Sequence, residues 1–197
     1  MESKESKGTF IRSIMGGFLI GIGGTVYLTL DNKIIGSLFF SVGLLAICVT
    51  DNLLFTGKAS YTLDKLYLAT ILFGNYIGAT ILGTIIRYTN PQLIEKAITI
   101  CNNKLNEGLK IVPLGILCNI LIYISIEGYK KGQTILLIMC VSVFILCGFE
   151  HCIANMYYFT VSGLIIGWKG FFYLFCNVFS NLLGGIIVQK YKCFKSI

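Results

Sequence analysis

Charge is what this sequence has least of. Only 13% of its 197 residues are Asp, Glu, Lys or Arg, against about 25% in a typical soluble domain. With 55% hydrophobic residues and a mean hydropathy of +0.80, this scarcity excludes an ordinary water-soluble fold. It predicts an all-α membrane protein that crosses the bilayer several times. The length fits one membrane domain with short loops and leaves no room for a soluble one. No cleavable signal peptide is evident: the basic N-terminal flank runs into an apolar segment as long as a full span. No block of like charge occurs either. The net charge of +7 is spread over short loops, which argues against a nucleic-acid partner. The eight cysteines form no CxxC pair and no zinc spacing, so they read as small packing residues. Histidine occurs once, at position 151.

What is present falls into six apolar stretches. Residues 1–8 are polar and read as a disordered N-terminus. Residues 9–188 form the channel-like body, and 189–197 a basic tail. The first span, 9–30, carries a face of glycines that lets a neighbouring helix approach closely. The second begins at 34, breaks at Thr50-Asp51-Asn52 and resumes through Leu53 to Lys58. The third runs from 64 to about 86, the fourth over 111–126, the fifth from 134 into the 148–156 region, and the sixth over 171–188. Six spans place both termini on the side richer in Lys and Arg, which should be cytoplasmic in a plasma membrane.

The stretch from Gly148 to Met156 (Gly-Phe-Glu-His-Cys-Ile-Ala-Asn-Met) organises the rest. It puts a carboxylate, the histidine and an amide into an apolar region. Titratable groups in hydrocarbon cost several kcal/mol unless paired, hydrogen-bonded or facing water, and they mark ion or proton paths. A second break matches it. Asp51-Asn52 is followed by a span with Gly74-Asn75 and Gly78, and Glu150-His151 by one with Asn181 and Gly184-Gly185. Corresponding breaks in two halves point to an inverted repeat with its site near the bilayer midplane.

At these residues the chain resembles the formate/nitrite transporter family. The 148–156 stretch is similar to the family's fifth-span signature, and Leu54-Phe55-Thr56-Gly57 to its re-entrant loop. Phe40 to Leu44, Gly74 to Gly78 and Gly115 to Asn119 resemble other family segments in order. The resemblance implies an aquaporin-like fold with broken second and fifth helices, a homopentamer, and a pore through each protomer. It implies passage of small monovalent anions of weak acids: formate, nitrite or hydrosulfide. His151 would be the central pore histidine, Thr56 its partner and Asn119 a pore-lining amide. Leu44, Leu54 and Phe55 would form one constriction, and Phe40 with Phe144 a cytoplasmic one. Lys104 would attract anions at the outer mouth, with Lys110 as the alternative. Glu150 and Asn155 would support the broken helix. Between Thr56 and Gly74 the chain is about ten residues shorter than the family usually is, which implies a stunted half-helix and a wider cytoplasmic mouth. The family's N-terminal cytoplasmic helix is absent from this sequence, so N-terminal gating is not expected.

The residues themselves suggest a mechanism. An anion entering an apolar constriction must be held by a cation or protonated. Desolvation raises the acid's pKa, and His151 either donates that proton or offers an N–H while neutral. Blander readings exist for each residue. His151 alone could be a buried structural histidine, Thr56 a helix cap, the Phe and Leu residues ordinary packing, and the lysines solvated loop charges. Cys147, His151 and Cys152 are four and one apart, but no further metal ligand accompanies them, so no cofactor, metal or enzymatic role is expected. Rival classes are a hydrosulfide-selective channel, a neutral-solute channel of aquaporin or urea type, a redox enzyme built on His151 and the cysteines, and a purely structural subunit.

Overall fold

The computed structural model describes the backbone of residues 2–195. The described residues are helical, with turns and no strand. The first half contains α1 (Glu2–Thr29), α2 (Lys33–Phe40), α3 (Val42–Val49), α4 (Phe55–Lys58) and α5 (Lys65–Thr89). A bridging helix, α6 (Gln92–Asn106), leads to the second half, α7 (Ile111–Lys130), α8 (Thr134–Leu146), α9 (Cys152–Ser162) and α10 (Trp168–Lys195).

Local chemistry sets these boundaries. Asn32 caps α2, its side-chain oxygen accepting from the Ile34 and Ile35 N–H groups at 3.0 and 3.1 Å. Asp64 caps α5 through the Tyr67 N–H. Pro91 disfavours helical geometry at Asn90, and α5 ends there. Gly163, at φ +80°, closes α9. In α6 the buried residues Leu93, Ala97 and Cys101 fall four apart on one face, which packs against α9.

Two expected boundaries move. α1 is already helical from Glu2, ahead of the expected start at Thr9, and α10 continues through the expected tail to Lys195. One kink was not foreseen. Ser41 separates α2 from α3, its hydroxyl donating to the Leu38 carbonyl at 2.5 Å. Four helical stretches are long and apolar enough to cross a membrane: 6–29, 65–89, 108–130 and 168–194. The apolar segments 33–49 and 134–146 are shorter, and each runs into a break followed by a second, separate helix.

The two breaks are built alike. In the first, Asn75 of α5 accepts from the Phe55 N–H (2.8 Å) and donates to the Ser13 and Leu53 carbonyls (2.6 and 2.8 Å). In the second, Asn181 of α10 accepts from the Cys152 N–H and donates to the Gly115 and Glu150 carbonyls, all at 2.8 Å. Backbone bonds repeat too: Leu53 N–H to Arg12, Glu150 N–H to Leu114. Three residues before each half-helix cap the chain turns through positive φ, at Asp51 (+53°) and Gly148 (+68°). The unpaired N–H and C=O groups at such breaks have no water to turn to in hydrocarbon. One buried amide per half supplies partners instead.

Close helix contact brings those amides into reach. A Cβ on Gly78 of α5 would collide with the Ile14 carbonyl of α1, and one on Gly115 of α7 with Ser180 of α10. α4 and α9 therefore start near one another and run apart, α4 toward the face bearing Lys58 and Lys130, α9 toward the face where Arg87 donates to the Val161 carbonyl at 2.7 Å.

Candidate functional site

The two half-helices meet at His151 and Thr56. Thr56 Oγ1 lies 2.9 Å from His151 Nε2, and both residues are buried. His151 is also the N-cap of α9: its Nδ1 accepts the Ala154 N–H at 3.1 Å. A nitrogen that accepts carries no hydrogen, so the ring is the neutral tautomer with its proton on Nε2. Nε2–H then donates to Thr56 Oγ1, which leaves the threonine hydroxyl hydrogen free for another acceptor. The Phe144 ring stacks on the imidazole at 5.8 Å between centroids, and Phe40 meets Phe144 edge-on at 6.0 Å.

Two cavities, each lined in part by charged side chains, lie on either side of this contact. One, of about 110 Å³, is lined by His151, Phe144, Ala154, Asn155, Tyr158 and Lys104, among others. The other, of about 350 Å³, is lined by Leu54, Gly57, Lys58, Asp51, Tyr61 and Lys130, among others. Leu44, Leu54, Phe55, Phe40 and Phe144 are all buried, at 1–3% exposure. Their placement corrects one expectation. Phe144 lines the same cavity as Lys104, so the Phe40–Phe144 pair belongs to the Lys104 mouth and not to the opposite one. Leu54 borders the cavity on the more basic face.

Lys104 does not stand free. Its ammonium contacts both Glu150 carboxylate oxygens at 2.7 Å, with the lysine side chain 15% and the glutamate 1% exposed. Lys110 is exposed on a short 3-10 turn and lines neither cavity. Asn155 donates to Glu150 Oε2 and to Asn177 Oδ1, both at 2.6 Å. The Glu150 carbonyl receives Asn177 (2.9 Å) and Asn181 (2.8 Å). Glu150 thus ties the break to α10 and, through Lys104, to α6, and it lines neither cavity. In the turn between α6 and α7, burial pushes the Glu107 carboxyl above its usual range. Glu150 adds to that rise and Lys104 opposes it.

Asn119 is buried beside Thr56. With its amide oriented to satisfy both ends, it donates to the Thr56 carbonyl (3.1 Å) and accepts from Ser60 Oγ (3.1 Å) and the Gly185 N–H (3.2 Å). It borders neither cavity and fastens α4 to α7 and α10. The sequence reading also gave no site role to Asn177, to Ser60 or to the Arg12–Asp51 pair (2.5 Å). Their signal was the rarity of amides and charges in apolar helices. Cys147 is exposed while His151 and Cys152 are buried. Among the described residues, no three His, Cys, Asp or Glu side chains are placed to hold a metal.

The sequence profile of the formate/nitrite transporter family matches residues 2–191. This chain belongs to that family. Among its relatives, the formate channel FocA of Haemophilus influenzae is 23% identical over 182 residues, covering 76% of this chain and 64% of the relative. The Escherichia coli K12 formate channel FocA is 26% identical, also over 182 residues, with the same coverage. The Plasmodium falciparum formate-nitrite transporter is 27% identical over 223 residues, covering 89% and 72%. The chain thus spans about 64% of the length of the curated formate channels it matches. Among solved structures, a pentameric formate channel with formate bound superposes with a TM-score of 0.82 at 25% identity, over 99% of this chain and 97% of that one. An ion channel of the same family also gives 0.82, at 19% identity. Family membership and the apolar helices make this a multi-pass membrane protein.

Proposed function

We propose that each protomer forms a channel for small monovalent anions of weak acids, of the formate or nitrite type, and that permeation is proton-linked at His151. One observation carries this reading. The chain's only imidazole is buried, lines one cavity, and is hydrogen-bonded to a hydroxyl of the opposite half-helix, whose neighbours Leu54 and Gly57 line a second.

An anion squeezed between Leu54, Phe144 and their neighbours sheds hydration, and its acid form becomes the cheaper species. It takes its proton from water at the cavity and crosses uncharged, while the imidazole keeps its own Nε2 proton. The neutral imidazole orients Thr56, whose hydroxyl hydrogen is available to the passing solute. The basic face, with Lys58 and Lys130, is cytoplasmic by the positive-inside bias, and Lys104 faces out. Similarity to a pentameric formate channel supports a homopentamer of this 21.8 kDa chain in the bilayer.

Stopped-flow uptake of formate, nitrite and hydrosulfide into proteoliposomes between pH 5 and 8 tests this. Flux is expected to rise as pH falls and to drop sharply in His151→Asn. Full wild-type flux in that variant at every pH, or a pH-independent wild type, overturns the reading. The latter result would indicate a neutral-solute channel.

A further inference from the structure

We propose that Lys58 forms an anion-capture subsite in the cavity at the basic face, so that the two mouths of the channel differ in affinity. The inference rests on the channel reading above and assigns a residue that reading does not use.

Lys58 ends the single turn of α4, two residues after Thr56, and lines the cavity that Leu54 also lines. Its side chain is half-buried. Among the described residues no Asp or Glu oxygen lies within salt-bridge distance of its ammonium. Every other charge around it is answered. Asp51 is paired with Arg12 at 2.5 Å. Lys130 is paired with Glu127 at 3.2 Å and lies 3.9 Å above the Tyr61 ring. Lys192 rests over the same ring at 4.0 Å. Lys58 is thus left with no carboxylate in contact, Asp51 acting on it only through space, at a concave site walled by Ile47, Leu54 and Ile126.

A cation in a low-dielectric cleft focuses its field and raises the local concentration of counter-ions. An ammonium is a point charge that needs no fork geometry, which suits a small oxyanion such as formate or nitrite. The other mouth offers no such charge, because Glu150 engages Lys104 through both carboxylate oxygens.

The test uses the full-length protein in right-side-out and inverted membrane vesicles from a host lacking its own formate carriers. Half-saturation for labelled formate is measured at low and high ionic strength. The wild-type protein should show the lower value in the orientation presenting Lys58. Lys58→Gln should raise that value about fivefold at low salt, with the opposite orientation unchanged and the difference lost at high salt. Lys58→Arg should retain the wild-type value, and gel-filtration elution of both variants checks assembly. Equal wild-type values in both orientations, or an unmoved value in Lys58→Gln, overturn the inference alone. Absence of formate flux in the wild-type protein overturns it together with the channel reading.

Discussion

The two halves of the molecule share a frame and differ in what hangs on it. Asn75 and Asn181 make the same three bonds, the turns at Asp51 and Gly148 bend the same way, and the glycine contacts correspond. The half-helices do not match. α4 has 4 residues and a leucine at its N-cap, while α9 has 11 and a histidine there. The charges differ as well. Arg12 and Asp51 pair at the surface, whereas Lys104 and Glu150 pair in the interior. Repetition therefore holds where backbone polar groups must be satisfied inside the membrane, and fails where one half carries chemistry that the other does not need.

The sharpest way to break this comparison is to remove the shared amides. Asn181→Ala and Asn75→Ala each remove three buried hydrogen bonds and orphan one N–H, of Cys152 or Phe55, while the Glu150 carbonyl keeps Asn177; the expected cost is about 4 kcal/mol. Both variants should lose the folded protein in detergent by gel filtration and thermal melting. Strong loss in only one would show that the halves are not held alike. Glu150→Gln comes next. It leaves a largely buried ammonium without its counter-charge, at a cost of about 3 kcal/mol. Charge removal at the corresponding surface pair, Asp51→Asn, should cost under about 1 kcal/mol in the same melt, because that pair is solvated.

His151→Leu puts leucine at both half-helix caps. It should lower anion flux in proteoliposomes by a factor on the order of 10, because the Thr56 hydroxyl loses the hydrogen bond that orients it toward the passing solute. It should lower stability by about 1 kcal/mol, through the lost cap at Ala154. The smallest effect is expected at Asp31. Its hydrogen bond and proximity to Lys96 hold the carboxyl below its ordinary 3.8. A lowered carboxylate stabilises the fold above its unfolded-state value and loses that contribution as pH falls through the folded one. Asp31→Asn should therefore lower the melting midpoint slightly at pH 7, and that difference should fade below about pH 4.

Much of this was legible in the sequence because hydrocarbon penalises polar groups so heavily. The breaks at residues 50–52 and 148–151 stood out against apolar flanks. So did Asn75 and Asn181, which fell at matching places before any contact was known. The Thr56–His151 contact followed from the motifs that carry these residues. What stayed hidden depended on orientation around a helix axis. Asn119 turns its amide to the Thr56 carbonyl, and Phe144 turns its ring toward Lys104's cavity. Both are set by packing between elements distant in sequence, which no local pattern records. The kink at Ser41 escaped because a single hydroxyl bonding back to a carbonyl leaves no mark on hydropathy.

The bond from Ala154 to the ring of His151 has a kinetic meaning. A side chain whose second nitrogen is already occupied by the backbone gains a full charge only by unfastening the helix it starts. In the channel proposed above, a solute reaching His151 would thus meet a dipole and no ion. It would find no deep well to linger in, and its dwell time would stay short even with both compartments rich in the same acid.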